Sequence, residues 1–379
     1  MRNKTLPIRI RLIILATIGL IVCIGVIFYS KVDNEGGKRD KVKVMDVKKS
    51  SLQPAHKGEM NNVENSLPQS NSESPQMEKY VPKVIIKGKW GNKPGEVGLP
   101  KELGIVGPRN LNSLVLDNEG YIYILDSANP NNRIQKFDKI GNYVESIPIT
   151  SWYEIRSLYI DSENNIYTLT YSSFYYGVIE RYYKDIGWKE VCRVNRELYG
   201  DMIKKDIKGN WYVISGNECS YQVTKGEDPI PIQEQKKMKK EGIKGEGKNP
   251  FSYKITYEEE KRYITILNDD REIKKKILIC REKEYIEFLK ADEEENIYIM
   301  VEKYQPPEEK EIEEKEIFKG ELWKYNKNGS IIAKIKMSWY IDTCFITPLS
   351  NAIAIDNVGN IYQLKTLKNG IQVIKWERK

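Results

Sequence analysis

Histidine is almost absent from this sequence of 379 residues: its one copy is His56, and residues 81–379 contain none. Ser-His-Asp and Cys-His catalysis both need an imidazole as the base, so the sequence excludes these mechanisms for residues 81–379. Glycoside hydrolysis by carboxylates alone needs no histidine and stays open. No pair of acids stands out from a background rich in glutamate.

Cysteine is also scarce. Residues 81–379 contain four cysteines, with spacings of 27, 61 and 64 and no C-x-x-C pair: Cys192, Cys219, Cys280 and Cys344. Without close pairs or a histidine partner, we expect no metal site, and no motif points to a cofactor. Disulfides stay open because four cysteines allow three pairings, and buried thiols are equally compatible with the pattern.

The net charge of residues 81–379 is small, because most of the net positive charge of the chain lies before them. The net charge is +7, of which residues 1–29 carry +4 and residues 30–80 carry +1. The remaining +2 on residues 81–379 lacks the basic footprint of a nucleic-acid-binding domain.

One long apolar run is present. Leu12–Tyr29 contains eighteen residues without a charge and follows a basic flank at residues 1–11. At about 1.5 Å per residue, such a helix spans most of a bilayer core of roughly 30 Å. A cleaved signal peptide is the alternative, but Phe28 occupies a position where cleavage after Ser30 would need a small residue. We therefore predict a transmembrane signal-anchor at 12–29, with the rest of the chain outside the cytoplasm. A cytoplasmic scaffold is the weaker alternative.

Residues 30–79 have the composition of a tether. Residues 31–79 contain no Phe, Trp or Tyr and are rich in Ser, Asn, Gln, Lys and Glu. Such a segment cannot bury enough apolar surface to offset its ordering entropy, so we predict a disordered linker, with His56 in solvent.

A turn followed by a strand recurs along residues 80–379. It reads "DNEGYIY", "DSENNIY", "DIKGNWY", "DEEENIY" and "DNVGNIY", beginning at Asp117, Asp161, Asp206, Asp292 and Asp356. The 86-residue gap between Asp206 and Asp292 is close to twice the preceding spacings of 44 and 45. We therefore expect a degenerate sixth copy at "YEEEKRYITIL", with Glu258 in place of the aspartate. Asp followed three residues later by Gly is typical of a type I turn, and six occurrences favour a structural role for the acids.

Each repeat continues into a second hairpin, which makes a four-stranded meander of about 45 residues, the size of a propeller blade. We predict an all-β fold, a six-bladed β-propeller of four-stranded antiparallel blades over residues 80–379. The last repeat supplies only three strands, and the alternating segment Pro82–Trp90 can supply the fourth, which would close the ring. Fewer strands in the fourth blade, or a seventh blade, stay open.

Residues Lys89–Val144 resemble an NHL-type repeat. The resemblance rests on a glycine-rich lead-in, an Asp-x-x-Gly turn, the segment "D…N…RIQKF" and a closing Asp-x-x-Gly turn. Later repeats keep the turn and the Ile-Tyr but lose the Asn-x-Arg part. The resemblance implies membership of the wider group of six-bladed propellers.

Two charged insertions and one near match to a phosphate-binding motif have the sequence pattern of loops. Gly242–Asn249 reads "GIKGEGKN", which nearly matches a phosphate-binding P-loop, but Asn249 replaces the Ser or Thr and Pro250 follows where a helix should start. Lys236–Lys248 is basic and Glu308–Glu316 is acidic. We interpret both as solvated insertions that can contact each other or a partner.

One face of the predicted propeller carries aromatic and basic residues in the loops that enter the innermost strands. The candidate ligand-binding residues there are Arg109, Trp152, Tyr153, Tyr199, Phe251, Trp339 and Tyr340. Such a mouth suits a protein, peptide or cell-envelope glycan, although the rings can equally wedge between blades. We therefore expect a membrane-anchored binding module without chemistry of its own. The alternative is an envelope enzyme, a carboxylate-based glycosidase or lyase, with its site in the channel.

Overall fold

The computed structural model describes residues 76–98, 111–126, 131–150, 154–171, 176–198, 200–206, 208–215, 219–244, 249, 251–258, 261–268, 270, 272–280, 285–302, 318–339, 349–367 and 370–379. All of them belong to the second of the two units into which the chain divides, Asn71–Lys379. The anchor predicted at 12–29 and the tether predicted at 30–79, up to residue 75, lie outside the described residues. Within the described ranges, no helix is both long and apolar enough to cross a membrane.

The described residues form six four-stranded antiparallel sheets and one small hairpin. The first strand, β1, is Tyr80–Lys89. The first sheet then follows as β2 (Leu111–Leu116), β3 (Ile122–Asp126), β4 (Arg133–Phe137) and β5 (Tyr143–Pro148). The second consists of β6 (Glu154–Ile160), β7 (Ile166–Tyr171), β8 (Tyr176–Tyr183) and β9 (Gly187–Asn195), followed by a 3-10 turn at Arg196–Leu198.

The third sheet carries an insertion before its last strand. It contains β10 (Met202–Lys205), β11 (Trp211–Ser215) and β12 (Cys219–Gln222), then the hairpin β13 (Thr224–Lys225) and β14 (Asp228–Pro229), the helix α1 (Ile232–Gln235), a 3-10 turn at Lys236–Met238, and β15 (Lys239–Glu241). The fourth sheet consists of β16 (Ile243–Lys244), β17 (Ser252–Glu258), β18 (Lys261–Leu267) and β19 (Ile273–Cys280).

The fifth sheet is β20 (Tyr285–Ala291), β21 (Ile297–Glu302), β22 (Phe318–Tyr325) and β23 (Ile331–Trp339). After a 3-10 turn at Leu349–Ala352, the sixth contains β24 (Ile353–Ile355), β25 (Ile361–Leu367) and β26 (Gly370–Arg378). Its strand order is β24-β25-β26-β1. β1 pairs antiparallel with β26 from Tyr80 opposite Arg378 to Lys89 opposite Gly370.

Neighbouring sheets pack face to face near their first strands. The first strand β2 contacts β6 and β24, and β6 contacts β10, while in the fourth blade the second strand, β17, contacts β20. Strands near the centre are therefore buried on both faces, as in β3, where all five residues are buried. In the outer strand β5, by contrast, only Ile147 is buried. Between the second and third sheets, the ring centroids of Tyr167 and Trp211 lie 4.5 Å apart. The chain is an all-β, six-bladed propeller, and each sheet is one blade.

The two ends of the blades differ. At one end, here called the turn end, the aspartate turns connect the first and second strands, for example at Asp117 between β2 and β3. At the other end, the mouth end, the chain enters each first strand and connects the second to the third. Most residues of the mouth-end loops lie outside the described ranges.

The position of the sixth repeat differs from the sequence expectation. Glu258 pairs with Lys261 in the tight connection between β17 and β18, the second and third strands of the fourth blade. Asn249 lies in the connection between β16 and β17 instead, 43 residues after Asp206 and 43 before Asp292. Its Nδ2 donates to the Asp292 carbonyl at 2.9 Å, which places it at the turn end. Asn249, and not Glu258, is therefore the sixth turn residue.

Part of the near-P-loop segment is consequently regular structure. Ile243 and Lys244 form β16 and pair with Tyr253 and Ser252 of β17. This repeat was not recognised in the sequence because its first strand is short and the connection to its second strand is longer than in the other blades.

Candidate functional site

The five aspartates of the repeat share one set of hydrogen bonds. At Asp117, one carboxylate oxygen accepts the N–H groups of Glu119 and Tyr121 at 3.0 and 2.9 Å, and the other accepts the Tyr123 hydroxyl at 3.0 Å. The same tyrosine, six residues after the acid, contacts each of the others: Tyr167 with Asp161, Tyr212 with Asp206, Tyr298 with Asp292 and Tyr362 with Asp356.

These carboxylates are fixed as hydrogen-bond acceptors. Burial raises the pKa of Asp161, but hydrogen bonds from Asn165, Glu163 and Tyr167 outweigh burial and hold the pKa below its usual value. Burial and the adjacent carboxylate raise the pKa of the partner Tyr167. An acid kept ionised and fully bonded in this way serves the turn and has no proton to exchange near neutral pH.

Few of the predicted ligand-binding residues can be placed. Arg109, Trp152, Tyr153, Tyr199 and Tyr340 lie outside the described residues, and Trp339 ends β23 opposite Phe318 with its side chain outside the description.

Phe251 is not where we expected it. Its N–H donates to Asn249 Oδ1 at 3.0 Å, so it belongs to the turn end rather than the mouth end. Its ring packs against the apolar core of the fourth and fifth blades. The misplacement follows from the wrong sixth repeat, which shifted the fourth blade by one strand.

A ring of polar residues appears when the six turn residues are used as the common reference. Five positions before each of them, the first-strand segment of every blade carries a charged or amide residue: Asn112, Arg156, Asp201, Lys244, Glu287 and Asn351. Here we call this set the polar ring. It lies on the mouth-end side of the turns, in segments that form or lead into the innermost strands.

The backbone favours side-chain display at two of these positions. The β2–β3 register shifts between Leu111 and Ser113, and the β6–β7 register shifts between Ile155 and Ser157. Asn112 and Arg156 are therefore the extra backbone residues of equivalent β-bulges, and at Arg156 the described side chain is 43% exposed.

Three members of the polar ring contact one another. Arg156 Nη1 lies 3.6 Å from Asp201 Oδ1, and the two side chains are 43% and 38% exposed. Asn351 Nδ2 donates to the Asp201 carbonyl at 3.5 Å. Because Asp201 belongs to the third blade and Asn351 to the sixth, this contact joins opposite sides of the propeller. Glu287 is 3% exposed.

The polar ring offers both signs of charge. Its two cationic and two anionic residues cancel, and the two asparagines add both donors and acceptors. By residue type, the set contains hydrogen-bond donors and acceptors, and no member is a nucleophile of the Ser, Thr or Cys type. Sequence reasoning missed this ring, although counting back from the aspartates would have found five of its six members.

A second polar cluster holds the lead-in of the first blade. Asp126 is fully buried, accepts the Gly98 N–H at 3.0 Å, and lies 3.2 Å from Arg133 Nε. Arg133 also donates to the carbonyls of Asn92 and Glu96, both at 2.6 Å.

Two amide side chains complete this cluster. Asn131 Nδ2 donates to Asp126 Oδ2 at 2.9 Å and to the Gly98 carbonyl at 2.8 Å, and Gln135 Oε1 accepts the Gly95 N–H at 2.9 Å. The "D…N…RIQ" signature of the first blade is thus a clasp that binds residues 91–98, the segment between β1 and the first blade.

Two carboxyl groups that are not members of the polar ring have raised pKa values. Burial raises the pKa of Asp126 to about 6, against the Gly98 N–H and the Arg133 charge, which lower it. Burial also raises the pKa of Glu180 on β8. Asp126 belongs to the clasp and Glu180 to the third strand of the second blade, so these two acids do not form a catalytic pair in the channel.

Among the residues that the structure describes, no three or more His, Cys, Asp or Glu side chains cluster in a way that could bind a metal ion. Cys192 and Cys219 are buried free thiols, and burial raises the pKa of Cys192 to about 12, away from thiolate chemistry. The side chain of Cys280 and all of Cys344 lie outside the described residues.

No family model matches the chain, and no curated protein matches it. Among solved structures, a streptogramin B lyase is 10% identical, with 81% of this chain and 100% of that chain covered and a TM-score of 0.39. A DUF4221 family member from Bacteroides vulgatus is 12% identical, with 79% and 98% covered and a TM-score of 0.42. A protein of unknown function from Bacteroides thetaiotaomicron is 12% identical, with 80% and 76% covered and a TM-score of 0.44.

Proposed function

We propose that this protein is a membrane-anchored, extracytoplasmic propeller that binds a protein, peptide or cell-envelope glycan at the mouth end and has no chemistry of its own. The observation that carries the proposal is the polar ring. It places a charged or amide residue at the equivalent sequence position of all six blades, on the mouth-end side of the turns, and two of its members, Arg156 and Asp201, have partly exposed side chains.

Polar residues at these strand positions have an energetic cost. Placing a charged or amide group on a central strand costs free energy unless the group finds partners or solvent. The residues that follow Arg156 and Glu287 in the chain, Ser157 and Phe288, are buried, while Arg156 itself is 43% exposed. An ion pair between partly exposed side chains, such as Arg156 and Asp201, contributes little stability, roughly 0–1 kcal/mol. The partial exposure of these two charges supports a binding role for the ring.

Membership of the NHL-like propellers is part of the proposal. The clasp gives a physical role to the residues that carry the resemblance, because Asp126, Asn131 and Arg133 all contact the glycine-rich lead-in. We also propose that the β1–β26 pairing closes the ring in the folded protein, which removes two unpaired edges.

Anchoring through 12–29 and an extracytoplasmic propeller remain part of the same proposal, supported by the eighteen-residue apolar run and its basic flank. Protease added to intact cells should cleave within residues 30–75 and release the propeller. Cleavage only after lysis would place the propeller in the cytoplasm instead.

The binding proposal is tested with full-length protein on arrays of envelope glycans and peptides. The test variants are Arg156→Gln and Asp201→Asn, which remove one charge each from the polar ring and keep similar shapes. Lys274→Gln is the control, since Lys274 is exposed on the outer strand β19. Ligands of the wild type should be lost in both ring variants and kept in the control. Unchanged binding in the ring variants would refute the mouth-end site.

An enzyme is the alternative because the polar ring contains two acids, Asp201 and Glu287, and carboxylate-based glycoside hydrolysis uses two. Turnover of a glycan by the wild type, abolished in Glu287→Gln, would support this alternative over simple binding.

A further inference from the structure

A buried glutamine ties the insertion of the third blade to the outer strand of the second. Gln235 Oε1 accepts the Asn195 N–H at 2.8 Å, and its Nε2 donates to the carbonyls of Arg193 and Ile230 at 2.8 and 2.9 Å. Asn195 Nδ2 donates back to the Ile232 carbonyl at 3.1 Å. With its side chain fully buried, Gln235 fixes α1 and the following 3-10 turn against β9.

This contact brings two basic segments of the chain together. One segment is the end of β9 with the 3-10 turn that follows it, and the other extends from α1 to β15. Their cations are Arg193, Arg196, Lys236, Lys237, Lys239 and Lys240. Here we call this set the basic rim. Arg193 and Lys236 are 52% and 53% exposed, and Lys237 and Lys239 are also exposed.

The acids on the same segments do not cancel this charge. Glu190 Oε1 pairs with Arg193 Nε at 3.0 Å, Glu197 pairs with Lys236, and Glu234 is the third acid with a described side chain. Glu241, the last residue of β15, is the fourth acid, so six cations against four acids leave an excess of +2. This equals the net charge of all of residues 81–379, so the basic rim concentrates charge that is balanced over the rest of the domain.

The backbone of the basic rim belongs to regular secondary structure and is not a solvated loop. The sequence pattern of Lys236–Lys248 indicates a free insertion, but Lys239 and Lys240 belong to β15 and pair with Tyr221 and Ser220. The Arg193 guanidinium lies 4.7 Å from the centroid of the Tyr176 ring, which orients it. Cations held in place lose less side-chain entropy when they bind an anion.

We propose that the basic rim binds a polymer with closely spaced phosphate groups, independently of the polar ring. Four of the six cations are lysines within five residues, and an ammonium is a compact point charge that binds phosphate without needing a planar partner. A phosphate presents several strong acceptor oxygens on one group, so a flexible chain of phosphates can satisfy neighbouring lysines in turn.

The experiment measures the affinity of the full-length protein for inorganic polyphosphate at low and moderate salt. The rim variant carries Lys→Gln at 236, 237, 239 and 240. Its matched control carries Lys→Gln at four exposed lysines elsewhere: Lys83, Lys87, Lys274 and Lys327. We expect affinity to fall at least tenfold in the rim variant and less than twofold in the control, with weaker binding at the higher salt because the charges are screened.

Three outcomes would overturn the proposal. The first is no binding of polyphosphate by the wild type, and the second is an equal loss in both variants, which would indicate general charge attraction. The third is equally tight binding of polyglutamate of matched length, which would indicate an acidic protein partner. Ring variants Arg156→Gln and Asp201→Asn should keep polyphosphate binding, so failure at one site can be told from failure at the other.

Discussion

The ammonium of Lys324 lies 3.0 Å from a carboxylate oxygen of Glu78, and the Lys324 side chain is 1% exposed. The two residues are 246 positions apart, in β22 of the fifth blade and just before β1. Glu78 also accepts the Tyr80 hydroxyl at 3.0 Å and lies 2.9 Å from an Arg378 nitrogen. Its own N–H donates to the Ile332 carbonyl at 2.7 Å. The contacts of the propeller therefore begin two residues before the domain boundary predicted at 80.

Glu78→Gln is expected to lower the free energy of unfolding by about 3 kcal/mol, because it leaves a buried ammonium without its counter-charge. Urea denaturation of the full-length protein, followed by tryptophan fluorescence, measures this change.

The double variant Glu78→Gln, Lys324→Met is the control. It removes both charges and keeps an unbranched side chain of similar length, so it should recover most of the lost stability. A double variant no more stable than the single one would mean that Glu78 acts through Arg378 and Tyr80, not through Lys324.

Asn249→Asp is expected to destabilise the protein, although it restores the consensus of the repeat. The aspartate keeps an acceptor for the Phe251 N–H but loses the Nδ2 donor to the Asp292 carbonyl. A lost hydrogen bond at a site only 6% exposed, with a carboxylate placed beside a carbonyl oxygen, costs about 1–2 kcal/mol.

Thermal unfolding of Asn249→Asp against wild type checks this expectation. Asn328→Asp, at an exposed position of the turn between β22 and β23, is the control and should cost less. Greater stability of Asn249→Asp would show that the fourth turn works as the other five do.

The same residue explains what sequence reasoning reached and where it failed. Asp117, Asp161, Asp206, Asp292 and Asp356 stand out because the local turn needs a carboxylate at a fixed distance from a tyrosine, so the pattern is written in consecutive residues. Their spacing was enough to predict six four-stranded blades. Asn249 meets the same need with an amide and a longer connection, so the local signal is lost and only the contact with Asp292 identifies it.

The polar ring was harder to predict for a different reason. Its members share a position relative to the turn but no residue type, and each lies in a segment that reads as an ordinary strand. The contact between Asp201 and Asn351 depends on two blades being opposite each other, which no local pattern encodes. Lys324 likewise reads as one of many lysines until Glu78 is placed beside it.

Glu295→Gly is expected to stabilise the protein by about 0.5–1 kcal/mol. Glu295 has φ of +65° in the turn that starts at Asp292, where the equivalent residue of three other blades is glycine. A side chain in this conformation is strained, and glycine removes the strain, although part of the gain is offset by the greater freedom of the unfolded chain.

Glu293→Gly, in the same turn but without a positive φ, is the control and should lower the melting temperature or leave it unchanged. Equal effects of the two substitutions in differential scanning calorimetry would mean that charge removal, not backbone strain, determines the result.

The clasp of the first blade should make stability depend on pH through Asp126. Burial raises the pKa of this carboxyl group from 3.8 to about 6. Between these two values the folded protein holds a proton that the unfolded chain has released, so the stability from this group falls as pH rises from about 4 to about 6 and is level above that range. A shift of this size corresponds to a change on the order of 3 kcal/mol in the free energy of unfolding.

Comparison of the wild type with Asp126→Asn isolates this effect. Carboxylates with lowered pKa values, such as Asp161, make stability rise with pH, but they do so in both proteins and cancel in the difference. Urea denaturation at pH 4, 5, 6 and 7 should show the stability of the wild type, relative to the variant, falling up to pH 6 and then constant. A relative stability that rises with pH would mean that Arg133 and the Gly98 N–H keep Asp126 ionised throughout. In that case the clasp would work as a buried ion pair, and its hold on residues 91–98 would weaken in acid instead of strengthening.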